Sequence, residues 1–148
     1  MAKEIVRAKE YDLYIIEEME KANFDKPWSF MTIGNDFAND FSNFMILKDG
    51  DEVLGYMNYW DIDNSLELNR IAINEDYRGD GNGEYLMGYL LSKAYEDDRD
   101  RIILEVAADN KAAIVLYDKF DFKDVHVRKN YYDNGADALI KVRMINEL

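Results

Sequence analysis

Cysteine is absent from the 148 residues, which excludes disulfides, thiolate metal sites and a cysteine nucleophile together. The chain is thus compatible with a reducing compartment. A single histidine leaves no histidine-based metal cluster, so no metal is expected. No apolar run approaches the ~20 residues that cross a bilayer. Met1-Ala2-Lys3-Glu4 leads straight into structured sequence without a signal-peptide pattern, so a soluble cytoplasmic protein with no membrane partner is expected. Positive charge is also scarce: 18 Lys and Arg stand against 31 Asp and Glu, a net charge of −13. Nucleic acid is therefore not expected as a partner, since it calls for clustered Lys and Arg. Cationic partners, a basic peptide or a polyamine, suit this field, although a strongly solvated acidic surface has the same composition.

What is abundant is apolar material, 48% hydrophobic and 14% aromatic, enough for one domain over residues 1–148 with a substantial core. Lys3 to Arg7 reads as a strand and Asp12 to Ala22 as an amphipathic helix, with Leu13, Ile16 and Met19 facing inward. Pro27, the only proline, breaks the pattern, and Ser29 is placed to cap a helix running to about Asn39. Trp28 reads as an anchor of this loop to the core. Asn43 to Lys48, the turn Asp49-Gly50 and Glu52 to Asp61 form a hairpin, and Asp63-Asn64-Ser65 turns into a further strand. There, alternation sets Leu66, Leu68, Arg70 and Ala72 against Glu67, Asn69, Ile71 and Ile73. A helix from Gly83 to Asp97, a strand from Arg101 to Val106, a helix from Lys111 to Lys119 and two strands, Phe122 to Arg128 and Ala138 to Met144, complete a mixed α/β pattern. His126 reads as an exposed strand residue without a role.

Between the Leu66 strand and the next helix lies Arg78-Gly79-Asp80-Gly81-Asn82-Gly83. A turn of this kind leaves backbone N–H groups unpaired at the positive end of a helix dipole, a setting for an anion. Glycines at 79, 81 and 83 allow positive φ and the close approach of a pyrophosphate, and Arg78 adds a planar charged fork. A plain tight turn uses glycine as well. No Lys-Ser/Thr pair follows as a P-loop needs, and no dinucleotide-binding β-α-β unit surrounds the turn.

Arg78, Gly81 and Gly83, preceded by Asn69 to Tyr77, resemble the R-x-x-G-x-G signature of the GNAT N-acetyltransferase superfamily. Leu104-Glu105-Val106 with Asn110, Ala113, Leu116 and Tyr117 resembles the L-E-V-x-x-x-N-x-x-A-x-x-L-Y segment of its bacterial ribosomal-protein-alanine N-acetyltransferases. Pro27-Trp28-Ser29 and Asn130-Tyr131-Tyr132 with Asp137-Ala138 are similar to that group's remaining motifs, so four stand in order. The resemblance implies a mostly antiparallel twisted sheet flanked by helices, acetyl-CoA as co-substrate, and a protein N-terminus as acceptor, on a ribosomal protein in the nearest group. It makes Glu105 the general base and Tyr117 the acid that protonates the leaving sulfur. It further implies that Ile71, Ala72 and Ile73 bind the pantetheine arm through their backbone, that residues 78–83 hold the pyrophosphate, that Asn110 contacts the pantetheine or acetyl region, and that Tyr131 bonds the incoming peptide.

The residues themselves admit plainer roles. Glu105 sits among apolar neighbours near a strand end, a setting that suits a base, or is an ordinary carboxylate paired with a lysine. Tyr117, with a phenol pKa near ~10, either donates its proton or belongs to the apolar stripe of Ala113, Leu116 and Phe120. Asp80 and Glu84 place carboxylates by the expected pyrophosphate, Asn82 replaces an aliphatic, and Ala107, Asp109 and Asp121 depart from the group's Arg, Ser and Gly. A small-amine acetyltransferase, for polyamines, and a non-catalytic CoA-binding module are the alternative readings.

Overall fold

In the computed structural model, which describes residues 2–145, a seven-stranded sheet runs in the order β1-β2-β3-β4-β5-β7-β6. The strands are β1 (Lys3–Arg7), β2 (Ser42–Asp49), β3 (Glu52–Ile62), β4 (Ser65–Ile73), β5 (Arg101–Ala107), β6 (Lys123–Arg128) and β7 (Ala138–Met144). Helices α1 (Leu13–Asn23), α2 (Phe30–Phe37), α3 (Asn82–Glu96) and α4 (Lys111–Lys119) cover it. Every strand pair is antiparallel except β4 with β5, which α3 connects as a crossover.

Local chemistry explains the element ends. Asp63 and Asn64, both at positive φ, close the β3–β4 hairpin as two small polar residues that tolerate the left-handed region. Ser29 accepts the Thr32 N–H and starts α2, and Asn110 accepts the Ala113 N–H and starts α4.

Alternation sends the sheet's side chains into two cores. Leu86, Leu90 and Ala94 of α3 meet Met57, Leu66 and Ile102 on one face. Ile16 of α1 and Ile33 of α2 meet Phe44, Ile46 and Tyr56 on the other. Strand β4 departs from the expected pattern. Asn58 pairs with Arg70 and Tyr59 with Leu68, so Asn69 is an extra residue in a bulge. Past it the facing inverts. Leu66 and Leu68 join the α3 core, whereas Ala72 belongs to the α1–α2 core, and Ile71 and Ile73 pack with the α3 core.

The bulge falls where the sheet opens. Parallel pairing of β4 with β5 covers only Ser65 to Leu68 against Arg101 to Leu104. Beyond it β4 stays on β3 through Ile73 and β5 stays on β7 through Ala107. The two inner strands have parted, leaving backbone groups of β4 from Asn69 onward without a strand on that side.

Candidate active site

A cleft of about 690 Å³ occupies this opening on the α3–α4 face. Ile71, Ala72 and Ile73 of β4 form its floor. Arg78, Gly79, Gly81, Asn82 and Gly83 form one end, and Asn110 and Tyr117 of the α4 region form a wall. The structure thus brings these sequence-indicated residues together. Asp80 is exposed and lies outside the lining, as do Glu105 and Tyr131.

Gly79 and Gly81 both hold φ near +81°, where a side chain would be strained. Gly83 corrects the expectation of a third flexible glycine: it is helical, and a Cβ there would stand 3.2 Å from Leu116 Cδ2. It is small because α4 rests on it. No side chain caps α3, and its first residues Asn82, Gly83 and Glu84 line the cleft. Amides of that turn remain available to an anion.

Arg78 also differs from the free fork expected. Its Nε donates to the Ile73 carbonyl (2.9 Å) and its Nη2 to Asn23 Oδ1 (2.5 Å), so it braces the loop against β4 and α1. Asn82 is buried, and its Nδ2 donates to the Tyr77 carbonyl (2.8 Å), holding the turn before the loop. Glu84 is compensated by Lys119 of α4 at 3.3 Å. Asn110 spends its side-chain oxygen on capping α4.

Tyr117 lies on the buried side of α4 against Phe122, with ring centroids 5.9 Å apart, and its ring lines the cleft. Burial pushes its phenol up to about 12. The proton therefore stays on oxygen throughout the neutral range.

Glu105 projects from the opposite face of β5. Its setting corrects the expected apolar enclosure: it is solvent-exposed and held by polar groups. Arg128 Nη1 stands 3.7 Å from Oε1, and the Tyr132 hydroxyl donates to Oε2 at 3.1 Å. The Tyr132 phenol is raised to about 12, by burial first and by the Glu105 carboxylate second. Tyr131, half exposed, packs edge-on against Tyr132 with centroids 5.2 Å apart.

The β6–β7 loop carrying these tyrosines reaches several walls in succession. Tyr132 binds Glu105, Asp133 pairs with Lys26 of the α1–α2 loop, and Asn134 Nδ2 donates to Asp109 Oδ2 at 3.0 Å. The α1–α2 loop is itself fastened to β4. Arg70 lies between the Phe24 and Trp28 rings, 4.0 and 4.7 Å from their centroids, and its Nη2 donates to Glu20 Oε1 and the Lys26 carbonyl, both at 3.1 Å. Glu20 is fully buried and also accepts the Trp28 N–H (2.7 Å) and the Tyr56 hydroxyl. Trp28 anchors its loop as expected.

Sequence reasoning missed Asn23, Arg128, Tyr132 and the Glu20–Arg70 pair. Tyr132 was visible beside Tyr131 in the Asn-Tyr-Tyr motif, and Glu20 stood on the inward stripe of α1. Nothing local marked Arg128 or Asn23. Chemically, the opening has a cleft with a protonated phenol on one face and a carboxylate under a tyrosine-bearing loop on the other. Among the described residues no cluster of three or more His, Cys, Asp or Glu is arranged to hold a metal, and no helix is long and apolar enough to cross a membrane.

Residues 9–122 match the model of the acetyltransferase (GNAT) family. A ribosomal protein bS18-alanine N-acetyltransferase of Escherichia coli is 30% identical over 132 residues, covering 87% of this chain and 88% of that one. The Haemophilus influenzae enzyme of the same name is 30% identical over 129 residues, covering 80% and 87%. The crystal structure of the Escherichia coli ribosomal-protein-S18-alanine N-acetyltransferase superposes with a TM-score of 0.92 at 25% identity, covering 99% of this chain and 96% of that one.

Proposed function

Because the chain belongs to the GNAT acetyltransferase family and is an N-acetyltransferase, we propose that it transfers the acetyl group of acetyl-CoA to the α-amino group of a protein N-terminus, alanine on a ribosomal protein being the acceptor. The observation that carries this reading is the parted sheet, with Tyr117 in the cleft on one face and Glu105 under the β6–β7 loop on the other. Donor and acceptor enter from opposite faces and meet between β4 and β5.

The cleft fits the donor's parts. Uncapped amides of α3 and the positive-φ glycines suit a pyrophosphate, and the edge of β4 at Ile71 to Ile73, which has no strand on the β5 side, suits an amide-bearing arm and a developing oxyanion. Acetyl-CoA supplies a thioester whose carbonyl carbon the amine attacks.

An α-amino group has a pKa near ~8 and is mostly protonated at neutral pH. Glu105 takes a proton from the ammonium, directly or through water, freeing the lone pair that forms the C–N bond. The C–S bond breaks with its electron pair going to sulfur, and Tyr117 gives sulfur its proton. The attacking nitrogen sheds a second proton, which restores Tyr117 by way of solvent. Glu105 releases its own, so one proton leaves per turnover. With no cysteine available, transfer is direct within a ternary complex. Tyr131, half exposed on the loop above Glu105, bonds the peptide.

Release of CoA is the test, with an Ala-starting peptide, a Met-starting peptide, a blocked peptide carrying an internal lysine, and spermidine as acceptors. Turnover confined to the free Ala terminus is expected, and Glu105→Gln should lower kcat by about 100-fold or more while acetyl-CoA binding persists. Turnover on spermidine alone would move the acceptor to the polyamines that the acidity also suits. Acetyl-CoA binding without turnover on any acceptor would point to a binding module.

A further inference from the structure

Each oxygen of Glu105 faces a partner, and the two partners are unlike. The Tyr132 hydroxyl makes a hydrogen bond at 3.1 Å. Arg128 stands at 3.7 Å, beyond hydrogen-bond length, and donates no side-chain hydrogen bond among the described residues. Its guanidinium instead lies over the Tyr131 ring, 5.4 Å from the centroid, with the side chain 51% exposed. An exposed cation in loose contact with a carboxylate is easily exchanged for another cation.

The acceptor's reacting group is such a cation. It arrives as an ammonium, and Glu105 can take its proton only after an oxygen of the carboxylate is free to meet it. We propose that Arg128 is a placeholder for the acceptor's ammonium. It neutralises Glu105 while the acceptor side is empty, and the incoming amine displaces it from Oε1. Tyr132 remains on Oε2 and keeps the carboxylate aimed. Arg128 keeps its place over Tyr131, so acceptor docking and uncovering of the base occur at one place. The inference rests on Glu105 being the base and holds for any amine acceptor.

Competition of this kind has a sign opposite to that of an ordinary binding arginine. Steady-state kinetics with the Ala-starting peptide and with spermidine should show that Arg128→Ala lowers the acceptor KM by about two- to five-fold, while Arg128→Lys keeps it near the wild-type value. Tyr132→Phe should lower kcat more than it changes KM. Calorimetric binding of both acceptors separates local competition from the more negative surface. The gain in affinity from Arg128→Ala should vanish in a Glu105→Gln background. A raised or unchanged KM in Arg128→Ala, a tenfold fall in its kcat, or an affinity gain that survives Glu105→Gln would each overturn the placeholder. Failure of the wild type to use the peptide counts against the acceptor assigned above. The spermidine and calorimetric arms still decide Arg128.

Discussion

Tyr117 carries two consequences of one burial. With its phenol at about 12, it keeps its proton far above neutrality, so the acid proposed for the leaving sulfur does not limit the rate on the alkaline side. Because the acceptor arrives as an ammonium that Glu105 deprotonates, the rate at low acceptor concentration is expected to hold level up to the acceptor amine's pKa, near ~8, and to fall above it as the ammonium is depleted. Tyr117→Phe should lower kcat by about 10- to 100-fold, a loss seen in single-turnover assays. The same shift acts on stability. A tyrosine that ionises near ~10 when unfolded and at about 12 when folded contributes its full stabilisation below pH 10 and loses it as pH rises towards 12. Tyr59, also raised to about 12 by burial, adds to the loss in that window. The urea midpoint should therefore fall steeply from pH 10 to pH 12. Replacing Tyr117 with Phe, which has nothing to ionise, should remove part of that fall.

Between elements, the Glu20–Arg70 pair ties α1 and the loop after it to β4 just past the bulge. Arg70→Met would leave a fully buried carboxylate without its cation, a class of change that costs about 3–5 kcal/mol. A lowered urea midpoint is expected, with a raised acceptor KM as the α1–α2 loop loosens. This pair also shows where sequence reading reached its limit. The hairpins, the Ser29 cap and the two-helix, strand-helix-strand order were legible because each rests on local periodicity or turn chemistry. The gathering of residues 71–73, 78, 79, 81–83, 110 and 117 was legible only through the order of the motifs, which also included Asp80, outside the cleft. Alternation failed at Asn69, because period two carries no mark of an inserted residue and the bulge inverted Arg70 and Ala72. Glu105 misled for a related reason. Its neighbours along the strand are apolar, but its real partners, Arg128 and Tyr132, come from the β6–β7 hairpin more than twenty residues later. Arg78 and Gly83 likewise took their roles from Asn23 and Leu116, contacts that only the folded chain creates.

Over the whole molecule, a net charge of −13 repels itself and attracts cations. Salt weakens both effects, with a screening length of about 10 Å at 0.1 M. Raising ionic strength from about 0.05 to 0.5 M should raise the urea midpoint while raising the KM of a basic acceptor peptide, and a neutral Ala-starting peptide should show the first change with little of the second. The short parallel seam between β4 and β5 has a further consequence, for the order in which the molecule is built. Strands β1 to β4 pair only with their neighbours in the sheet, and three of those strands follow one another directly in the chain as a meander. Strands β5, β6 and β7 pair among themselves. Each group is held by ladders of five to eight residue pairs, whereas the seam has four and closes only once α3 spans it. Assembly is therefore expected to form the two halves, β1 to β4 and β5 to β7, before the sparsely paired seam that joins them. The space left open where they join is then a product of how little they share, so that a mutation slowing their union would delay the appearance of activity during refolding more than that of helix and strand.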